Sequence, residues 1–184
     1  MSSASESVGG VTAPADERVG RRGWYARLAV GVAFGAVLAL AAHHVAARYR
    51  LALDVQKYYS CLPFDAYLVD PARTGPLERG TLVQFVAPPA ATLFTGEFEV
   101  VKLVGALPGD HWRIADDELF VNGELWGRLP LLSKLGLAPG ALDGAGTVEE
   151  GTVLVLGTTP TSYDSRYWGA LPIENIRGVA HVVL

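Results

Sequence analysis

Three short stretches of the sequence carry residue types that could perform nucleophilic chemistry together. The first, residues 60–63, reads Ser-Cys-Leu-Pro. A serine hydroxyl becomes a useful nucleophile when a neighbouring base removes its proton, and the proline biases Leu62 toward an extended backbone that can aim a preceding side chain. By itself, however, such a stretch is more typical of an ordinary turn, and Cys61 is most simply a small buried hydrophobic residue.

A lysine in an apolar row supplies a candidate base. In a strand over residues 98–104, residues 98, 100, 102 and 104 point to the same face, so that Lys102 lies among Phe, Val and Val. Burying an amine costs free energy unless it reaches solvent, finds partners or loses its proton, and a neutral amine is a competent general base. The alternative is a lysine on an edge strand, where its charge discourages aggregation.

The third stretch, residues 157–169, contains Ser162, Asp164 and Arg166. Asp164 and Arg166 are close enough along the chain to pair or to orient the backbone. Ser162 offers a hydroxyl that could hold the amine of Lys102. A Ser–Asp–Arg turn is equally suitable as a structural brace of a loop, so the stretch gains a chemical meaning only together with the other two.

The elements that must position these residues are mainly β-strands. Alternating or apolar runs bounded by turn residues predict strands over the segments 81–86, 98–104, 118–121, 124–126, 152–156 and 176–184. Asn122-Gly123 is typical of a tight hairpin turn. Residues 131–146, with a proline and four glycines, are predicted to form a mobile loop or a short helix. These patterns together indicate a single antiparallel β domain.

Residues 28–47 form a candidate membrane helix, because these twenty residues carry no formal charge at neutral pH. Twenty helical residues span about 30 Å, which matches the core of a bilayer, and Trp24 and Tyr25 lie where interfacial aromatic residues are expected. The alternatives are a cleaved secretory signal, with a cleavage site near residues 39–41, and a buried helix of a soluble protein. We expect a disordered tail over 1–27, an uncleaved anchor over 28–47 and a folded domain over 48–184.

Composition and charge exclude several classes of protein. Half of the 184 residues are hydrophobic and the net charge is −4, which argues against a disordered chain and against a nucleic-acid-binding face. One cysteine and four histidines are a poor inventory for a disulfide framework or a metal site, and we expect no cofactor. Residues 1–57 carry seven basic and four acidic residues, while the remainder is acidic. Slightly more positive charge precedes the helix than follows it, which favours a cytoplasmic N-terminus.

The three stretches, taken in order behind an N-terminal anchor, resemble the motifs of the bacterial type I signal peptidase family. These are serine peptidases that use a Ser–Lys dyad, and the resemblance covers residues 28–184. Residues 60–63 are similar to the family's Ser-x-x-Pro motif, residues 101–110 to its lysine motif, and residues 162–169 to its Ser-x-Asp-Ser-Arg-x-x-Gly motif. The short chain and the segments 63–69 and 78–83 resemble most closely the TraF-type peptidases of conjugative transfer systems.

The chain departs from the family pattern at four places. Cys61 stands where methionine often follows the serine, and Leu103 replaces the arginine after the lysine. One extra residue lies between Gly105 and Pro108. Residues 157–159 read Gly-Thr-Thr instead of the usual Gly-Asp-Asn, so that a carboxylate of the family pattern is missing.

The resemblance implies a signal-peptidase-like antiparallel β domain with one N-terminal transmembrane helix and no metal or cofactor. Ser60 would be the nucleophile and Lys102 the general base, while Ser162 would orient the amine and Asp164 with Arg166 would brace the loop. The implied partners are a precursor protein and the lipid bilayer, with no nucleic acid. The implied location is the bacterial inner (plasma) membrane, single-pass, with residues 48–184 as a catalytic domain on the periplasmic side.

The implied reaction removes a leader from an exported precursor, foremost a conjugative pilin precursor, with possible cyclisation of the product. Two other functions are compatible with the same motifs. One is a housekeeping type I signal peptidase with many secretory substrates. The other is a catalytically inactive, membrane-anchored assembly factor for a pilus or a secretion system, which the altered residues 157–159 favour. A Ser–Lys self-cleaving repressor is disfavoured, because the membrane helix occupies the place of a DNA-binding domain.

Overall fold

The computed structural model describes residues 16–54, 61–72, 75–93 and 99–183. The chain divides into two compact units, Met1–Val45 and Ala46–Leu184. The described residues of the first unit, 16–45, are helical, and the second unit contains the β-strands.

The N-terminal helix, α1, runs from Asp16 to Arg48. Within its segment Gly23–Arg48, a stretch of 18 residues has a mean hydropathy of 1.9 and is not buried, so the segment is long and apolar enough to cross a membrane by length and composition. The anchor predicted over residues 28–47 lies within this helix. The helix begins at Asp16, inside the segment that the sequence indicated as disordered. Arginine and alanine are good helix formers, and adding a turn to an existing helix costs little because its nucleus is already formed.

The second unit contains, among the residues described, eleven strands, one short α-helix and two 3-10 turns. Their bounds, in chain order, are β1 Arg50–Leu53, β2 Ala66–Asp70, β3 Leu82–Val86, β4 Glu99–Ala106, β5 His111–Ala115, β6 Glu118–Val121, β7 Glu124–Arg128, a 3-10 turn Ser133–Leu135, β8 Gly144–Thr147, β9 Thr152–Leu156, α2 Ser165–Trp168, β10 Leu171–Pro172, a 3-10 turn Ile173–Asn175 and β11 Ile176–Val182.

These strands pair antiparallel in two sheets. The larger sheet has the order β1-β2-β11-β3-β4-β9-β10, and the smaller has the order β7-β6-β5-β8. Strand β4 is therefore an interior strand, hydrogen-bonded to β3 on one side and to β9 on the other. The architecture is mainly β with one N-terminal apolar helix, as the sequence predicted.

The predicted hairpin is confirmed, because β6 and β7 pair through Asn122-Gly123. Both turn residues have positive φ, 50° and 86°, as the type I′ turn requires, and Asn and Gly tolerate this conformation best. The strands predicted near β3, β4, β9 and β11 are also confirmed, and β9 has the predicted bounds. Strands β1, β2, β5 and β10 were not predicted.

Residues 131–146 differ from the prediction. This segment contains a 3-10 turn and most of strand β8, so it is neither wholly a loop nor a regular helix. The strand forms because Gly146 lies opposite Trp112 of β5, and a Cβ at Gly146 would come within 3.1 Å of the indole. The small residues of β8 therefore make room for an aromatic side chain on the neighbouring strand.

Three apolar clusters hold the sheets together. One packs Val83, Phe85, Val104 and Val155 of the larger sheet, and a second packs Tyr67, Val69 and Ala180 near the β1 edge. The third joins Leu119 and Val121 of the smaller sheet to Leu154 and Leu156 of β9. Side chains on β3, β4 and β9 consequently lie in a packed interior.

Candidate active site

Lys102 lies in the interior of the larger sheet. Its side chain is 0% exposed, and in the register of β3 and β4 it lies opposite Val83. Its Nζ donates a hydrogen bond to Ser162 Oγ at 2.7 Å. The alternative of a guarding lysine on an edge strand is wrong, because β4 has a strand on each side.

The loop after β9 brings Ser162 to this lysine. Ser162 is fully buried, and its backbone N–H donates to Thr159 O at 3.2 Å. Two residues later, Asp164 caps the short helix α2 by accepting from the backbone N–H of Arg166 at 3.1 Å. Aspartate is a preferred residue at this position, because its carboxylate satisfies an unpaired helical N–H.

Asp164 and Arg166 form a buried ion pair beside Ser162. Nε of Arg166 donates to Oδ1 at 2.8 Å and Nη2 to Oδ2 at 2.7 Å, and the two side chains are 0% and 2% exposed. Burial alone would lower the pKa of Arg166, but its bonds to Asp164 outweigh this effect, so that the pKa is raised above its ordinary value. The same guanidinium donates to Ser162 O at 3.1 Å. The pair therefore holds the backbone of the residue that meets Lys102.

Ser60 lies outside the described residues, but its neighbour Cys61 is described. The Cys61 carbonyl accepts from Thr158 N at 2.9 Å and from Thr159 N at 3.4 Å. A Cβ at Gly157 would lie 2.6 Å from the Cys61 carbonyl oxygen and would also overlap Ser162 Oγ. The residue after Ser60 and the hydroxyl that holds Lys102 thus pack against the same glycine.

Lys102, Ser162, Asp164 and Arg166 are therefore brought together, while no position is assigned to Ser60. In the altered segment 157–159, Thr158 and Thr159 both donate to the Cys61 carbonyl through their backbone N–H groups. Those two hydrogen bonds are independent of the side chains at these positions. The carboxylate that the family pattern has in this segment is therefore not needed to form the two hydrogen bonds to Cys61.

Asp110, at the end of the lysine motif, anchors a second network that sequence reasoning missed. It accepts from Leu107 N at 2.7 Å and from Asn122 Nδ2 at 2.9 Å, and it pairs bidentately with Arg79. Burial alone would raise the pKa of Asp110, but the hydrogen bonds from Arg79, Asn122 and Leu107 outweigh it and lower the pKa to about 2. The sequence predicted only a turn at Asn122, and it did not indicate a role for Arg79.

A cavity of about 610 Å³ borders α2 on a side that Lys102 does not line. Its walls are Trp112, Leu119, Leu142 and Leu154 together with Ser165, Arg166 and Tyr167. Neither Lys102 nor Ser162 lines this cavity, so it is not the space in which these two side chains meet.

Among the residues described, the buried amine of Lys102 on β4 thus meets the buried hydroxyl of Ser162, which lies on the loop after β9. The family model described as "Signal peptidase, peptidase S26" matches residues 25–184. The chain belongs to this signal peptidase family, and the resemblance to type I signal peptidases is confirmed at this level.

The chain is similar to a curated protein and to a solved structure. The chain is 35% identical over 107 residues to a "Probable signal peptidase I-2" of Synechocystis sp., an alignment that covers 57% of this chain and 47% of that protein. The chain thus spans about half the length of this curated relative. A crystal structure of a signal peptidase I from Enterococcus faecalis V583 matches with 26% identity and a TM-score of 0.38, covering 58% of this chain and 98% of that one.

Replacing Asp110 by asparagine should change how stability depends on pH. Because the folded-state pKa of about 2 lies below the ordinary value of 3.8, Asp110 stabilises the fold above about pH 4, and this contribution is lost as the pH falls toward about 2. Thermal unfolding of the full chain in detergent, measured from pH 7 down to pH 2, should show that Asp110→Asn is less stable at neutral pH and less sensitive to acid. Asp116→Asn, at an exposed turn, should retain the acid dependence. An Asp110→Asn variant with the wild-type pH profile would show that the network contributes nothing.

Asp164→Ala should cost far more stability than the loss of a surface ion pair. The substitution leaves the buried guanidinium of Arg166 without its carboxylate, which typically costs about 3–5 kcal/mol. Glu118→Ala is the matched control, because it removes the carboxylate that pairs with the exposed Arg128 at 3.0 Å and should cost less than about 1 kcal/mol. Urea unfolding followed by tryptophan fluorescence measures both. Equal losses in the two variants would remove the proposed bracing role of Asp164.

Proposed function

We propose that this chain is a membrane-anchored serine endopeptidase in which Ser60 is the nucleophile and Lys102 the general base. The observation that carries the proposal is the amine of Lys102, which is 0% exposed in an interior strand and 2.7 Å from Ser162 Oγ. Because the amine of Lys102 is buried and bonded to a hydroxyl, it does not contribute to the solubility of the protein as a surface lysine does. It is well placed to exchange a proton with a neighbouring nucleophile.

The hydrogen-bonding capacity of a neutral amine fits this role. Such an amine has two N–H donors and one lone pair, so that one N–H of Lys102 can donate to Ser162 while the lone pair accepts a proton. In the reaction, the Ser60 oxygen bonds to the scissile carbonyl carbon and its proton passes to Lys102. The C–N bond then breaks, and Lys102 returns the proton to the leaving amine.

Resolution of the acyl-enzyme completes the reaction. Attack of water on the ester carbonyl releases the acyl group and restores the Ser60 hydroxyl. Attack of an amine of the substrate itself would instead join two ends of the product. The negative charge of each tetrahedral intermediate requires preorganised donors, and the backbone N–H of Ser60 is the donor that we propose for it.

The contacts of the loop argue against an inactive assembly factor. Asp164 and Arg166 form a buried ion pair, and Arg166 also donates to the Ser162 carbonyl. The threonines at 158 and 159 bind Cys61 through their backbones, so the altered motif keeps these contacts. An assembly factor would not need a buried amine, which costs free energy in an apolar interior.

The apolar helix α1 supports a membrane location for the proposed enzyme. We propose a single-pass protein of the bacterial inner (plasma) membrane, with residues 48–184 as the catalytic domain on the periplasmic side. Its partners would be the bilayer and an exported precursor protein whose cleavage site lies close to the lipid. Anchoring both in the same membrane raises their effective concentration relative to each other.

For the substrate, we propose a conjugative pilin precursor. This finer proposal rests on the similarity of residues 63–69 and 78–83 to the TraF-type branch. A housekeeping signal peptidase with many secretory substrates is equally consistent with membership in the family. The pilin product would be cyclised only if an amine of the pilin itself, instead of water, attacks the acyl-enzyme.

Ser60→Ala and Lys102→Met should each lower precursor processing at least about a thousandfold, since each removes one partner of the proton transfer. Methionine nearly matches the length of the lysine side chain and fills the buried space without an amine. Lys134→Met, at an exposed position, is the matched control and should retain activity. Full-length variants are co-expressed with a pilin precursor, and the product is followed by intact mass spectrometry.

The masses of the products decide among the proposed reactions. Loss of the leader alone indicates hydrolysis, and a product lighter by one further water indicates cyclisation. Cleavage of a general secretory precursor in preference to the pilin would contradict the dedicated substrate but not the peptidase. Near-normal processing by a folded Lys102→Met variant would contradict the dyad.

A further inference from the structure

Gly157 is the junction between the segment that follows Ser60 and the loop that carries Ser162. Its N–H donates to Asp164 Oδ2 at 2.8 Å. Its α-carbon has no room for a side chain, because a Cβ there would meet the Cys61 carbonyl and the Ser162 hydroxyl. A displacement of Gly157 would therefore disturb both Cys61 and Ser162.

The carbonyl of Gly157 is held from the smaller sheet. Gly157 follows Leu156, the last residue of β9 and the last that pairs with β4. Its carbonyl accepts a hydrogen bond from Trp126 Nε1 at 3.3 Å. Trp126 lies on β7 and is partly buried against the apolar cluster around Leu119 and Leu154. The indole is thus fixed by packing, and its N–H points at the junction.

Strand β7 contacts the other end of the same loop. The carbonyl of Arg128 accepts from Arg166 Nη1 at 2.8 Å, and β7 is the edge strand of the smaller sheet. The loop between Gly157 and Arg166 is consequently tied at both ends to one strand. An edge strand has backbone groups free for such contacts.

We infer that Trp126 is a positioning residue for the proposed dyad, acting through Gly157 on Cys61 and Ser162. The inference rests on the proposed function and extends it to the smaller sheet. Trp126 acts at a distance, through the junction that sets where the Ser162 hydroxyl meets Lys102. Its loss should therefore lower the rate of the chemical step and leave substrate binding nearly unchanged.

The test compares Trp126→Phe with Trp112→Phe. Both tryptophans are partly buried against the same cluster of the smaller sheet, and both substitutions remove an indole N–H while keeping an aromatic ring. The full chain in detergent micelles is assayed on a fluorogenic peptide with small residues before the cleavage site. For Trp126→Phe we expect kcat to fall about threefold to tenfold, the effect of one neutral hydrogen bond, with KM within about twofold of wild type.

Amide hydrogen exchange supplies a second measurement that does not depend on activity. Peptides that cover residues 157–164 should exchange faster in Trp126→Phe than in wild type, whereas Trp112→Phe should leave their exchange unchanged. Thermal unfolding in the same micelles separates a local effect from a general loss of stability.

The outcomes are distinguishable. If Trp126→Phe matches Trp112→Phe in kcat and in loop exchange, or if kcat falls only in proportion to the folded fraction, the role of Trp126 is overturned. If the wild type shows no cleavage that depends on Ser60 and Lys102, the proposed function fails, and the exchange data then decide alone whether Trp126 holds the loop. Unchanged exchange in that case overturns the inference as well.

Discussion

The hydrogen bond between Lys102 Nζ and Ser162 Oγ is the interaction on which the rest of the site depends. It joins an interior strand of the larger sheet to the loop after β9, and both side chains are 0% exposed. A buried amine is costly without partners, so the position of Ser162 has to be fixed by the surrounding structure. The buried pair of Asp164 and Arg166 supplies this, because the guanidinium also binds the Ser162 carbonyl.

A buried ion pair is a weak source of net stability but can specify one conformation. Asp164 accepts from Gly157 N–H and from Arg166, while Arg166 reaches the Ser162 and Arg128 carbonyls. The loop is therefore fixed by directional bonds at several points along its length. Such bonds suit a site in which a shift of about 1 Å would misalign the reacting groups.

Much of this arrangement followed from local sequence signals, and the remainder depends on tertiary contacts. The strand at β9 and the Asn122-Gly123 turn were predictable, because periodicity and turn chemistry act over a few residues. That β4 is an interior strand was not predictable, because strand order is set by packing. Strand β8 was missed because Gly-Ala-Gly-Thr has low β-propensity and forms a strand only against Trp112. The bond from Trp126 to Gly157 spans 31 residues, and no local pattern indicates it.

The most direct test of the account is to locate a covalent acyl group on the enzyme. The full chain is incubated with an activated peptide ester, quenched in acid and digested, and tandem mass spectrometry assigns the adduct to Ser60 or to the adjacent Cys61. The account predicts an adduct on Ser60 in the wild type and none in Lys102→Met. An adduct on Cys61, or equal labelling of Ser60 in Lys102→Met, would contradict the claim that the buried amine of Lys102 activates Ser60.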